Sequence, residues 1–129
     1  MKQLHLIASF ILMLFVGNAA AQSRDTLELT PFSSSDTVHV GQIITYTGNI
    51  HGSVGEELEV YSSDEDIVQF IDSDIQYKKK QVPGMTGGDA AWKTFLFKAE
   101  KAGNTEMTIQ EIFRGEVIQE TRVVIMVVE

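Results

Sequence analysis

The side chains able to do chemistry are few in this chain, and their spacing does not concentrate them. Asp64-Glu65-Asp66, with Asp72 and Asp74 beyond, offers carboxylate oxygens of the kind that bind calcium. The run lacks the D-x-D-x-D-G spacing that lets the oxygens of one loop converge on a single ion, and Ser62-Ser63-Asp64 reads as a plain turn. Past the first 21 residues the histidines are His39, in an alternating stretch, and His51, in a glycine-rich turn; neither has a second ligand nearby to make a metal site. Cysteine is absent altogether, so there is no thiolate nucleophile or ligand. There is also no G-x-S-x-G elbow, no H-E-x-x-H and no phosphate loop ending in G-K-[ST]. The expectation is a protein that is not an enzyme and holds no metal or cofactor.

Recognition is better served. Gly84-Met85-Thr86-Gly87-Gly88 leads into the alternating run Ala91-Trp92-Lys93-Thr94-Phe95-Leu96-Phe97-Lys98-Ala99. Glycines let the backbone adopt positive φ and approach another surface closely, and a stiff strand behind them supplies the mount that a binding loop needs. Lys78-Lys79-Lys80, just ahead of the glycines, reads as a solvated edge or loop whose charge keeps a sheet edge from pairing.

The elements that must carry this loop are strands. Period-two alternation marks Thr26-Leu27-Glu28-Leu29, Val38-His39-Val40, Ile43-Ile44-Thr45-Tyr46, Leu58-Glu59-Val60-Tyr61, Ile67-Val68-Gln69-Phe70 and Met107-Thr108-Ile109-Gln110. Val117 to Val128 is rich in Val and Ile, and from Val123 it is apolar on both faces, as a strand covered on both sides would be. Turn signals fall between, among them Ser33-Ser34-Ser35-Asp36, Gly48-Asn49, Gly52-Ser53-Val54-Gly55, Pro83-Gly84, Gly103-Asn104 and Arg114-Gly115. With no helical period anywhere, the pattern predicts an all-β, antiparallel immunoglobulin-like β-sandwich of about seven to eight strands without a disulfide. Trp92, the single tryptophan, is expected near its core.

Lys2, the apolar run Leu4 to Val16 and Ala19-Ala20-Ala21 have the form of an export signal, predicting removal of residues 1–21 and a single domain over 22–129, secreted or periplasmic. The apolar run is shorter than the ~20 residues a bilayer span needs, so no membrane anchor is expected once it is cleaved. With Lys2 set aside, nine Lys and Arg face 18 Asp and Glu, which argues against nucleic acid and anionic membranes as partners. A monomer is expected.

The chain resembles the chagasin family of peptidase inhibitors, immunoglobulin-like proteins that block papain-type cysteine peptidases. Gly87-Gly88, the strand Trp92 to Ala99, Ala102-Gly103 and Met107-Thr108-Ile109 are similar to the family's glycine loop, W-x-F-x-A strand, A-G turn and following strand. Val60 to Asp64 is similar to its V-x-S-S-D segment. Of the family's three binding loops, N-P-T-T-G corresponds to His51-Gly52-Ser53-Val54-Gly55, G-x-G-G to Gly84-Met85-Thr86-Gly87-Gly88, and R-P-W to Phe113-Arg114-Gly115-Glu116. Glu56 and Leu58 stand where the family has an aromatic and a Trp after the first loop, and Gly115 and Glu116 replace Pro and Trp in the third.

The resemblance implies a papain-like cysteine peptidase as partner and a reversible, non-covalent wedge. Backbone groups around Gly87 and Gly88 would bond along the substrate cleft, Val54 would supply an apolar contact, and Phe113 with Arg114 would meet the far wall. The replaced loop residues leave a second reading open: a non-inhibitory immunoglobulin-like binding or adhesion module that kept the scaffold.

Overall fold

The computed structural model describes residues 26–84 and 87–129, so the expected export signal, Met85 and Thr86 lie outside it. Eight strands follow one another: β1 (Thr26–Glu28), β2 (Ser35–His39), β3 (Ile43–His51), β4 (Glu56–Ser62), β5 (Val68–Tyr77), β6 (Ala90–Ala99), β7 (Gly103–Phe113) and β8 (Glu116–Val128). Hydrogen-bonded neighbours run β2-β8-β7-β4-β3-β6-β5, with β1 on β3. Because β3 and β4 share just the pair His51–Glu56, the path folds over at that point. The result is two layers, β2-β8-β7-β4 and β1-β3-β6-β5, as in an immunoglobulin-like sandwich. Pairing is antiparallel except at the short first strands: β1 lies parallel to β3, and β2 parallel to β8.

Alternation builds the core. Leu58, Val60 and Ser62 of β4 point inward while Glu57, Glu59 and Tyr61 face out. The same period buries Phe95, Phe97 and Ala99 of β6, Met107 and Ile109 of β7, and Val123, Ile125 and Val127 of β8. A strand's period of two can bury one face only, so Trp92 falls on the outer side, 43% exposed, contrary to the expectation that it lies near the core. There it faces Asn49 of β3 and Gln76 of β5, with the Lys78 ammonium 5.1 Å from the ring centroid. Likewise Val124, Met126 and Val128 form an exposed outer row, so β8 is apolar on both faces yet covered on one.

Gly48-Asn49 is not a turn but lies inside β3. A Cβ on Gly48 would stand 2.6 Å from Leu58 Cδ2, so glycine leaves the space into which Leu58 packs from the other layer. At the opposite end of the sandwich, Ser62-Ser63-Asp64 is tied to β7 through one buried hydroxyl. Thr105 Oγ1 lies 3.1 Å from both Ser62 Oγ and Ser63 Oγ, and accepts the Asp64 N–H at 3.1 Å. The V-x-S-S-D segment thus closes the β4–β5 turn.

Candidate functional site

The strand order brings three connections to one end. His51 of β3 faces Ala90 of β6, Tyr77 of β5 faces Ala91, and Glu56 of β4 faces Phe113 of β7, which in turn faces Glu116 of β8. Loops 52–55, 78–89 and 114–115 therefore leave the sheets side by side. Among the described residues, they hold the binding-loop residues singled out in the sequence except His51, Phe113 and Glu116, which are the strand ends bordering them.

The first loop is a single 3-10 turn, Gly52–Val54, closed by Gly55 at φ 84°, whose N–H donates to the Gly52 carbonyl at 3.0 Å. A left-handed residue there suits glycine alone at low cost. Val54 is left 43% exposed at the tip. The third loop is a two-residue hairpin turn with φ 51° at Arg114 and 81° at Gly115, the two positive values that match the twist of paired strands. Arg114 is the one non-glycine residue with positive φ among the described residues. Its guanidinium lies over the Phe113 ring at 5.1 Å, and Phe113 itself is 39% exposed.

These two loops are joined by backbone. The Arg114 N–H donates to the Gly55 carbonyl at 2.8 Å, and a Cβ on Gly55 would meet Arg114 N and Cα at 3.3 Å. In the second loop Gly84, Gly87 and Gly88 all take positive φ, and nothing stands within 4 Å of a Cβ built on Gly84 or Gly87. Gln81 spans this loop, donating from Nε2 to the carbonyls of Lys79 at 3.1 Å and Gly88 at 2.9 Å. Met85 and Thr86 lie outside the described residues.

What ties the second loop to the first is Asp89, a residue that the sequence reading did not select. Its carboxylate accepts the Ser53 N–H at 2.9 Å and the Ser53 hydroxyl at 2.5 Å, and it stands 3.2 Å from His51 Nε2. The Ser53 hydroxyl bond chiefly holds the Asp89 carboxyl below the usual carboxylate range, with the Ser53 N–H and His51 acting in the same direction against desolvation. An acid directly after Gly-Gly and before a strand was a visible signal. Its partner, 36 positions earlier, was not.

Ser, His and Asp do meet here, but in the wrong order for acyl transfer. A nucleophilic serine needs the imidazole between hydroxyl and carboxylate to take its proton. Here the carboxylate sits between the other two and is itself a weak base. The cluster is a clip, not a nucleophile. Behind it a cleft of ≈ 250 Å³ is lined by Ile50, Leu58, Lys93 and the glutamates Glu56, Glu57 and Glu59, smaller than most ligand pockets. No group of three His, Cys, Asp or Glu among the described residues is placed to hold a metal. Leu58, which falls where the resembled family has a Trp, is buried against β3.

No family model matches the chain, and no curated protein matches it in sequence. Solved structures do match. EhICP2, a cysteine protease inhibitor from Entamoeba histolytica, superposes with a TM-score of 0.62 and 12% identity, over 80% of this chain and 94% of that one. Amebosin, solved in solution, gives 0.57 and 11%, over 80% and 96%. PbICP-C in complex with falcipain-2 gives 0.44 and 13%, over 80% and 97%, a score too low to argue from. The chain therefore has the fold of a cysteine protease inhibitor, and its likeness to chagasin-type inhibitors holds at the level of the fold. EhICP2, which shares this fold, is an inhibitor.

Proposed function

We propose that this protein is an exported inhibitor of a papain-like cysteine peptidase, acting reversibly by placing its three loops in the active-site cleft. The observation that carries this reading is the tying of the three loops, by Asp89 and by the Gly55–Arg114 backbone bond, into one surface on an inhibitor's fold. A pre-ordered wedge spends little on ordering when it binds, which favours affinity. Exposed Val54 and Phe113 are its apolar contacts, with the Arg114 guanidinium stacked on Phe113. The glycines of the second loop, with no side chain in the way, offer backbone groups to the cleft. Standard interfaces of this kind bury about 800 Å² per partner and draw most of their energy from a few such anchors.

A second reading rests on Glu56, Leu58, Gly115 and Glu116, which replace the aromatic and proline residues of the resembled loops. On that reading the chain is a non-inhibitory binding module. One titration separates the two. Against papain and a panel of secreted cysteine, serine and metallo peptidases, the first reading expects inhibition of a cysteine peptidase with the inhibitor recovered uncut by mass. Val54→Asp, on an exposed tip, should weaken that inhibition at least about tenfold while leaving the fold intact. A folded protein that inhibits none of the panel would favour the second reading.

A further inference from the structure

The free side of β5 carries charges that neither the core nor the loop end uses. β5 ends the strand order, so no strand among the described residues pairs with its outer edge. Its register with β6 is unbroken from Asp72 to Tyr77 and continues through the Lys78 N–H, which donates to the Ala90 carbonyl at 2.9 Å. Backbone groups alternate sides along a strand, so those of Asp72, Asp74 and Gln76 face β6 as Lys78 does, and those of Ser73, Ile75 and Tyr77 face the open edge. The Ser73 N–H accordingly donates to Asp72 Oδ1, at 2.8 Å, on its own strand.

Two observations indicate what covers this edge. The first is a polarity of charge along the chain. Asp64, Glu65, Asp66, Asp72 and Asp74 precede Ile75, Lys78, Lys79 and Lys80 follow it, and all are exposed. None of them is in an ion pair among the described residues. A second β5 laid antiparallel along the edge puts the acidic end of each strand beside the basic end of the other. About a twofold axis at Ile75, Asp72 faces Lys78 of the second copy and Asp74 faces its Gln76, each twice. Opposite charges directly across a strand pair are favourable. The Lys78 ammonium, which donates to Asn49 Oδ1 at 2.6 Å, exchanges a neutral acceptor for a carboxylate.

The second observation is apolar. Ile75 and Tyr77 lie on the same side of the sheet as buried Ala91, yet at the rim of the sandwich they remain 45% and 50% exposed. The same axis sets Ile75 against Ile75 and Tyr77 against Ser73, and it lets the backbone groups of these three residues bond across the edge. Every position in this register has its open side free of any described strand. Pairing in parallel register would instead set acid on acid and lysine on lysine. The lysines expected to keep this edge from pairing therefore exclude the parallel arrangement and select the antiparallel one. The free side of β4 has no such match, since it carries Glu56, Glu57 and Glu59 and no cation.

We propose that the protein self-associates as a twofold pair through antiparallel pairing of residues 72–78 with the same segment of a second copy, keyed by ion pairs of Asp72 with Lys78 and covering Ile75 and Tyr77. Isologous contacts of this kind are the commonest way for two copies to associate. The axis sends the two loop ends in opposite directions, so the proposal stands independently of the inhibitor reading.

Sedimentation equilibrium on the purified protein tests it. A monomer–dimer equilibrium is expected. Asp72→Lys alone, or Lys78→Asp alone, should weaken it at least roughly tenfold by setting like charges across the axis twice. Mixing the two variants should restore dimers, because each like-charged pair then becomes an opposite-charged one. Within one chain these residues are six positions apart on a strand, about 20 Å, so no contact inside a chain can produce that rescue. Ile75→Lys, at an exposed position on the axis, should abolish the dimer while leaving the fold intact. A single-chain mass up to concentrations on the order of 1 mM, single variants that stay dimeric, or a mixture that stays monomeric would overturn the proposal.

Discussion

Asp89 is the residue on which the loop end turns. Its carboxylate accepts both the N–H and the hydroxyl of Ser53 and stands beside His51 Nε2 while belonging to the second loop, so it converts two connections into one body. Asp89→Ala should weaken peptidase inhibition about tenfold, since the loops would have to be ordered on binding, with the sandwich unfolding in its usual range. Thermal melting measured alongside inhibition separates that outcome from misfolding. The acid dependence follows from the sign of the shift. Bonding lowers the Asp89 pKa in the folded protein, so its contribution is complete above the ordinary aspartate value and is lost as pH falls through the lowered one. The Ser53 amide resonance should therefore titrate with a midpoint below about 3.9, and should not titrate in Asp89→Asn. The sequence disclosed Ser53, Gly87 and Arg114 as loop residues because glycine, serine and short polar runs are local signals. It could not disclose that Asp89 bonds Ser53, because that pairing exists only once β3 and β6 lie side by side.

At the scale of elements, period and turn chemistry made most strands legible, and the two misreadings have separate causes. Gly48-Asn49 carries a turn signal, yet it lies within β3 because Leu58 fills the space a side chain would occupy. Trp92 is expected near the core, yet alternation with Phe95 and Phe97 fixes it outward. A neighbouring strand decided the first and is invisible in a local window; the second follows from the period of β6 itself. The serine-rich V-x-S-S-D segment likewise proves to be a joint between β4 and β7. Thr105→Val keeps its shape but takes one partner each from the hydroxyls of Ser62 and Ser63 and from the Asp64 N–H, leaving them the weaker set of bonds to the Asp64 carbonyl, the Glu106 N–H and Ser62 Oγ. A loss of about 1–3 kcal/mol is expected, read as a lower midpoint in denaturant at unchanged slope. Gly55→Ala tests the joint at the other end. Positive φ costs an L-residue about 1–2 kcal/mol, and the added methyl would press on Arg114 backbone. Inhibition should fall together with stability there, whereas Thr105→Val should spare inhibition.

The whole molecule is a sandwich held without any disulfide, so its core and its edges do all the fixing. The parallel pairing of β2 with β8 has a further, mechanical meaning. β2 lies near the start of the described chain and β8 ends it, so tension applied at the two ends draws these strands past each other along their length. Load then falls on the rungs from Ser35–Val124 to His39–Val128 together rather than one after another, as it would in peeling. A chain tethered at one end and pulled at the other would give way abruptly, at the force needed to slide a whole ladder.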